Sequence, residues 1–394
     1  MNFENQITGT TQILSLNNPE DAFLLENGLT LPVVSIAYEV HGQLNAAGDN
    51  VILICHALTG DAHVAGAGIY PENVLKDAPL LKSMKPGQAG WWDGMIGPGR
   101  TFDTDRYFVV CSNILGSCYG TTGPTSLKPG TDSPYRMDFP KISVRDMVNL
   151  QYKLLKKLGV NQLRLVTGGS LGGMQTLEWA VMYPEMVLGI APIATAARHS
   201  AWCIAINHVE RDAIMHDPVW NNGNYERQPE KGLALARKIG MISYRTDLIY
   251  QERFARERLN DNGKFIDPEN IFQVESYLGY QGAKLVKRFD ANSYLYLTWA
   301  MDHHDISRDR GSMQDILGGI TARCLCIGID SDILYPAHEQ KAIAADIPGA
   351  RYTEISSVLG HDAFLVEFGQ LDQILGPFLD EIYVKRNHRK HAQL

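Results

Sequence analysis

The stretch Gly168-Gly169-Ser170-Leu171-Gly172 sets a serine between glycines two positions away on either side, directly after the apolar run LRLVT. A serine held on a sharp strand-to-helix turn is placed to act as a nucleophile, and small residues at those two positions let the backbone turn so tightly. The helix beginning after it would aim free amide N–H groups at whatever Ser170 binds. A phosphate loop fits poorly: no Lys-Ser/Thr follows, and Ser170 stands where G-x-G-x-x-G needs its second glycine. A serine hydroxyl needs a base, and the base needs an orienting acid. On such an elbow the acid and then the histidine follow the serine along the chain. The segment "GIDSDILYP" offers Asp330 and Asp332 on a loop after a strand-like run. The turn ILYP that leads off the sheet favours Asp332 and leaves Asp330 as a strand-end cap. The segment "SSVLGHDAFL" places His361 on a loop before the last helix, while the rival base, His56 in "CHALTG", precedes the nucleophile. Acyl chemistry also needs donors for a developing oxyanion. The backbone amide of Leu171 is one; the other is expected from the loop "CHALTGDAH", at Leu58 or its neighbours Ala57 and Thr59.

These residues need a scaffold, and the apolar pattern supplies one. "VILICHA" (51–57), "YFVVCSN" (107–113), "LRLVTGG" (163–169), "VLGIAPIATA" (187–196) and "RCLCIGID" (323–330) read as buried strands. None alternates cleanly, as expected for a mostly parallel sheet with helices on both faces. Between the second and third, Ser143 with Asp146 forms a capping box, Val144, Met147, Val148, Leu155 and Leu158 share a helical face, and Gly159 caps the end. Near the N-terminus, Asn27-Gly28 between apolar segments predicts an antiparallel hairpin edge. From His199 to Gly318 the strand signal gives way to helical segments, which predicts a helical lid (199–318) inserted in an α/β core (1–198 and 319–394). The chain closes on an amphipathic helix, with a break expected near Gly376-Pro377.

The 394 residues are 45% hydrophobic and 20% charged, with a formal net charge of −8. That balance argues against nucleic acid or an anionic membrane as partner. The basic tail Val384–Leu394 reads as a solvated end. The first residues show no secretion pattern, and no run approaches the about 20 apolar residues a membrane span needs. A cytoplasmic setting is expected, with Cys55, Cys111, Cys118, Cys203, Cys324 and Cys326 as reduced, mostly buried thiols and no metal site.

With these residues in place, the chain resembles the homoserine O-acyltransferase family of the α/β-hydrolase fold, and most closely its acetyl-transferring members. The matching stretches are "HALTGDAH", "SNILGSCYGTTGP", "GGSLGGMQTLEWA", "GLALARKIGMISYR", "GIDSDILYP" and "GHDAFLVE", in the family's order from about residue 20 to 370. The resemblance implies Ser170 as acyl acceptor, His361 as base and Asp332 as its orienter. It implies that Arg237 and Asp362 hold the carboxylate and ammonium of L-homoserine, a division of labour that suits a guanidinium and a carboxylate. It further implies acetyl-CoA as co-substrate, no permanently bound cofactor, a place in methionine biosynthesis and a homodimer. Two alternatives stay open: a succinyl donor with homoserine or serine as acceptor, and an esterase or thioesterase with water as acceptor. The "GTTGP" segment leans to acetyl-transferring or serine-using members. Trp91-Trp92 read as packing or as part of a tunnel wall.

Overall fold

The structure is a computed structural model that describes residues 8–84, 86–260 and 270–391. Two small pairs stand apart from its main sheet: β1 (Thr8–Thr10) runs parallel to β7 (Ala67–Ile69), and β3 (Phe23–Leu24) antiparallel to β4 (Thr30–Leu31). The main sheet contains β2 (Gln12–Leu16), β5 (Val34–His41), β6 (Val51–Cys55), β8 (Phe108–Ser112), β9 (Leu163–Gly169), β10 (Gly189–Ile193), β11 (Arg323–Ile329) and β12 (Arg351–Ile355). Their order is β12-β11-β10-β9-β6-β8-β5-β2. β5 is antiparallel to both its neighbours; the other pairings are parallel.

The unbroken apolar runs follow from burial on both faces. Val51, Leu53 and Cys55 of β6 point into one core, beneath α2 (Val144–Lys157) and α3 (Leu171–Met182). Ile52 and Ile54 point into the other, against Trp92 and the apolar stripe of α11 (Phe368–His391). Ser143 caps α2 in the predicted capping box, and Gly159 follows the helix at φ +82°. α10 (Ala337–Asp346) joins β11 to β12, and the short α1 (Glu72–Asp77) lies in the long β6–β8 connection. Between β10 and β11 come α4 (Ala201–Met215), α5 (Glu230–Tyr244), α6 (Asp247–Phe254), α7 (Gln273–Val286), α8 (Ala291–Asp302) and α9 (Met313–Gly318). α5 packs on α4 and α7, and α4 on α8. Most of α8 is buried and belongs to the same core as α2 and α3.

Two expectations need correction. Gly28 does turn a hairpin (φ +84°), but β3 and β4 pair only with each other, and the antiparallel edge is made by β5 and β2. The last helix does not break at Gly376-Pro377: α11 runs through Pro377. Proline removes one helical hydrogen bond there, but Leu371, Leu375, Phe378, Leu379 and Ile382 are all buried on the sheet and hold both halves in one register. The helix carries the basic segment as far as His391; residues 392–394 lie outside the described residues. No described helix is long and apolar enough to cross a membrane.

Candidate active site

Ser170 sits between β9 and α3 with φ +58° and ψ −124°, a conformation costly for a non-glycine residue. The four surrounding glycines make that turn sterically allowed. A Cβ on Gly168 would lie 2.2 Å, and one on Gly172 2.1 Å, from the Cys55 carbonyl oxygen of β6. A Cβ on Gly169 would strike the Phe364 ring, and one on Gly173 the Thr195 side chain. The Ser170 N–H donates to the Ile193 carbonyl (3.0 Å) and its carbonyl accepts from the Thr195 hydroxyl (2.8 Å), which locks the turn against β10.

His361 lies in a short 3₁₀ turn (Gly360–Leu365) before α11. Its Nδ1–H donates to Asp332 Oδ2 at 2.6 Å, leaving Nε2 as the free acceptor. Asp332 is fixed from behind, because its Oδ1 accepts the N–H groups of Leu334 (2.8 Å) and Tyr335 (3.0 Å) within the ILYP turn. Burial works against a charged His361, but the Asp332 carboxylate outweighs it and raises the imidazole pKa above its ordinary value. Asp330 is elsewhere: it accepts from the Ser356 hydroxyl (2.7 Å) and the Ser357 N–H (3.1 Å) and pins the loop after β12. His56 has both nitrogens engaged, Nδ1 with the Ala57 carbonyl (2.8 Å) and Nε2 with the Ile114 N–H (3.2 Å). Burial lowers its pKa, so it serves as a neutral brace for the 56–60 loop.

A cavity of about 640 Å³ opens above these residues, between the carboxyl ends of the strands and the helices α4, α5 and α7. Ser170, His361, Leu58, Arg237 and Asp362 all line it. Leu171 opens α3, and its N–H donates to no protein acceptor among the described residues. The same holds for the Leu58 N–H. Trp91 lines the cavity, whereas Trp92 is fully buried and donates Nε1–H to the Phe364 carbonyl (2.8 Å), tethering the turn that carries His361.

Arg237 and Asp362 are differently placed. The Arg237 guanidinium rests over the Tyr244 ring at 5.3 Å and has no hydrogen bond or ion pair among the described residues. Asp362 already has a cation, Arg245, at 2.9 Å. Arg245 and Tyr244 both lie in the segment "GLALARKIGMISYR", but nothing local marks their contacts. Glu210 of α4 also joins the wall unforeseen. Burial pushes its carboxyl up to about 8 against the pull of Arg237 and Arg211, and its Oε2 accepts the Tyr294 hydroxyl at 2.9 Å. The site therefore offers a nucleophile position, an oriented imidazole, free amides and an unpaired guanidinium in one enclosure. Among the described residues no group of three or more His, Cys, Asp or Glu could hold a metal ion.

Residues 50–368 match the family model described as alpha/beta hydrolase fold. The chain is 50% identical over 389 residues to a homoserine O-acetyltransferase of Carboxydothermus hydrogenoformans, covering 97% of this chain and 98% of that one. It is 51% identical over 364 residues to a homoserine O-acetyltransferase of Moorella thermoacetica, covering 91% and 93%. Among solved structures, homoserine O-acetyltransferase from Bacillus anthracis superposes with a TM-score of 0.83 at 29% identity, over 94% of this chain and 98% of that one. Esterase E22 superposes with a TM-score of 0.81, also at 29% identity, over 94% and 100%. On the strength of the near-full-length matches, this chain belongs to the homoserine O-acetyltransferase family within the α/β-hydrolase fold.

Proposed function

We propose that the protein transfers an acetyl group from acetyl-CoA to the side-chain hydroxyl of L-homoserine through an acetyl-Ser170 intermediate. The observation that carries the acceptor assignment is the unpaired Arg237 guanidinium in the cavity that Ser170 and His361 line. Ser170 Oγ attacks the thioester carbonyl as His361 Nε2 takes its proton. The oxyanion is held by the N–H groups of Leu58 and Leu171, each contributing about 3 kcal/mol in sites of this kind. Collapse breaks the C–S bond, and the CoA sulfur leaves with the proton from His361. Homoserine then enters with its carboxylate on Arg237 and its ammonium on Asp362, whose second oxygen remains available beside Arg245. Its hydroxyl gives its proton to His361 Nε2, attacks the acetyl carbonyl and expels Ser170, which recovers the proton. The products are O-acetyl-L-homoserine and CoA.

In this reading 199–318 acts as a lid over a core of 1–198 and 319–394, shielding the acyl-enzyme from water. The burial of α8 supports a fixed roof rather than a loose flap. We propose a homodimer, supported by the exposed Leu235 and Ile242, one heptad apart on α5. The proposed setting is cytoplasmic, which fits six buried free thiols. The chemistry as written draws on no resident metal or redox cofactor.

Likeness to esterase E22 favours one second reading, acyl transfer to water. CoA release from acetyl-CoA, followed with and without L-homoserine, separates the two. The expected result is release accelerated at least about tenfold by the amino acid, with O-acetyl-L-homoserine as the product by mass. Equal rates in both would overturn the transferase assignment. Within that assignment, Arg237→Met is expected to lower kcat/KM for homoserine by about 10²-fold, since the substrate carboxylate loses the unpaired guanidinium proposed to hold it. Acetylation of Ser170, which precedes acceptor binding, should fall far less, as read by single-turnover CoA release.

A further inference from the structure

Arg288 follows α7, and its guanidinium reaches across to the sheet side of the cavity. Nη1 donates to the Thr59 carbonyl at 2.8 Å and to the Tyr119 hydroxyl at 2.9 Å, and Nη2 donates to the Thr59 hydroxyl at 3.2 Å. Tyr119 is itself buried and stacks edge-on against Phe289 at 5.6 Å. One side chain from the inserted helices thus ties together the loop after β6 ("HALTGDAH") and the loop after β8 ("SNILGSCYGTTGP").

The target of this fork is one residue from Leu58. The 57–60 segment is a tight turn, closed by the Gly60 N–H on the Ala57 carbonyl at 2.9 Å. His56 holds its near end through the Ala57 carbonyl. At its far end the Thr59 carbonyl and hydroxyl both face Arg288. With both ends held, the peptide plane that carries the Leu58 N–H loses its freedom to rotate. An oxyanion donor is useful in proportion to how little it must reorganise when charge develops. A bidentate guanidinium is suited to such a clamp, because its planar fork fixes direction as well as distance.

We propose that Arg288 is a positioning residue for the oxyanion hole, acting through Thr59 to aim the Leu58 N–H, so that the inserted helices complete the transition-state site. This rests on the acyl-serine reading above and on Leu58 as the second oxyanion donor.

The test compares Arg288→Met and Arg288→Lys with the parent, using acetyl transfer to homoserine, p-nitrophenyl acetate turnover and inhibition by ethylboronic acid, which becomes tetrahedral on Ser170. Arg288→Met is expected to lower kcat in both reactions by the same factor, about 10- to 100-fold, and to weaken boronate inhibition by a similar factor. KM for homoserine should stay within about twofold. Arg288→Lys, which can reach one Thr59 oxygen but not both, should fall between. Thr59→Ala removes one partner of the fork from the other side and should show a smaller loss with the same pattern; it carries the test if Arg288→Met fails to fold. A loss of kcat with boronate affinity unchanged would mean that Arg288 only supports the fold, and kcat within twofold of the parent in a folded Arg288→Met would equally overturn the proposal. Ser170→Ala, run alongside, reports on the acyl-serine reading separately: if it keeps activity, that reading fails whatever Arg288 does.

Discussion

Ser170→Ala is expected to fold like the parent and to lose acetyl transfer by a factor of about 10⁴ or more, the scale seen when a serine nucleophile is removed from such a triad. The substitution keeps the Cβ, so the φ of +58° is no more strained than before, and the neighbouring glycines still clear Cys55, Phe364 and Thr195. A melting temperature within about 3 °C of the parent is the expected sign that only chemistry has changed. Cys203 is a thiol in the same cavity wall. Burial raises its thiol to about 12, so it is protonated at neutral pH and cannot replace the serine. Intact-mass measurement after brief exposure to acetyl-CoA should show one acetyl group on the parent and none on the variant. A variant that keeps more than about a tenth of the activity would remove Ser170 from the nucleophile role.

The parts of this arrangement that could be read in advance are those whose cause is local. Unbroken apolar runs betray strands buried on both faces, and Ser143 with Asp146 fixes the start of α2 by a contact only three residues long. The glycines flanking Ser170 were predictable for a backbone reason, and at Gly168 and Gly172 the cause is the close approach of β6. Gly169 and Gly173 instead make room for Phe364 and Thr195, partners remote in sequence. The same division explains what stayed hidden. The sequence "RYTEI" of β12 is an edge strand with one fully buried residue, so it lacks the apolar run that marks the central strands. Arg245 and Arg288 look like ordinary surface cations, and only the tertiary fold brings them to Asp362 and Thr59. Pro377 is a local signal that packing overrode, since five buried side chains outweigh one missing hydrogen bond.

The choice between two aspartates only two residues apart has the sharpest consequence. Asp332→Asn is expected to lower kcat by about 10⁴-fold, whereas Asp330→Asn should stay within a few-fold of the parent. The reason lies in the two N–H groups behind Asp332. Leu334 and Tyr335 both donate to Oδ1, so an asparagine must keep its carbonyl oxygen there. Its NH₂ group is then forced into the Oδ2 position, 2.6 Å from His361 Nδ1. Facing a donor, Nδ1 must become the acceptor, and the imidazole proton moves to Nε2. That is the tautomer that cannot accept a proton from Ser170. The flip is imposed by the backbone of the ILYP turn, so the variant has no easy rotation by which to escape it. A second signature follows from charge. The Asp332 carboxylate keeps the His361 pKa raised, so in the parent the acidic limb of the kcat/KM profile should lie above the ordinary histidine value, with activity falling as His361 protonates. With a neutral asparagine the main raising influence is gone, leaving the smaller one of Asp362, while burial still disfavours the imidazolium, and the limb should move to lower pH even as the plateau collapses. A pH profile of p-nitrophenyl acetate turnover measures both effects in one experiment. An unmoved limb, or a deep loss in Asp330→Asn with Asp332→Asn active, would reverse the assignment of the two carboxylates.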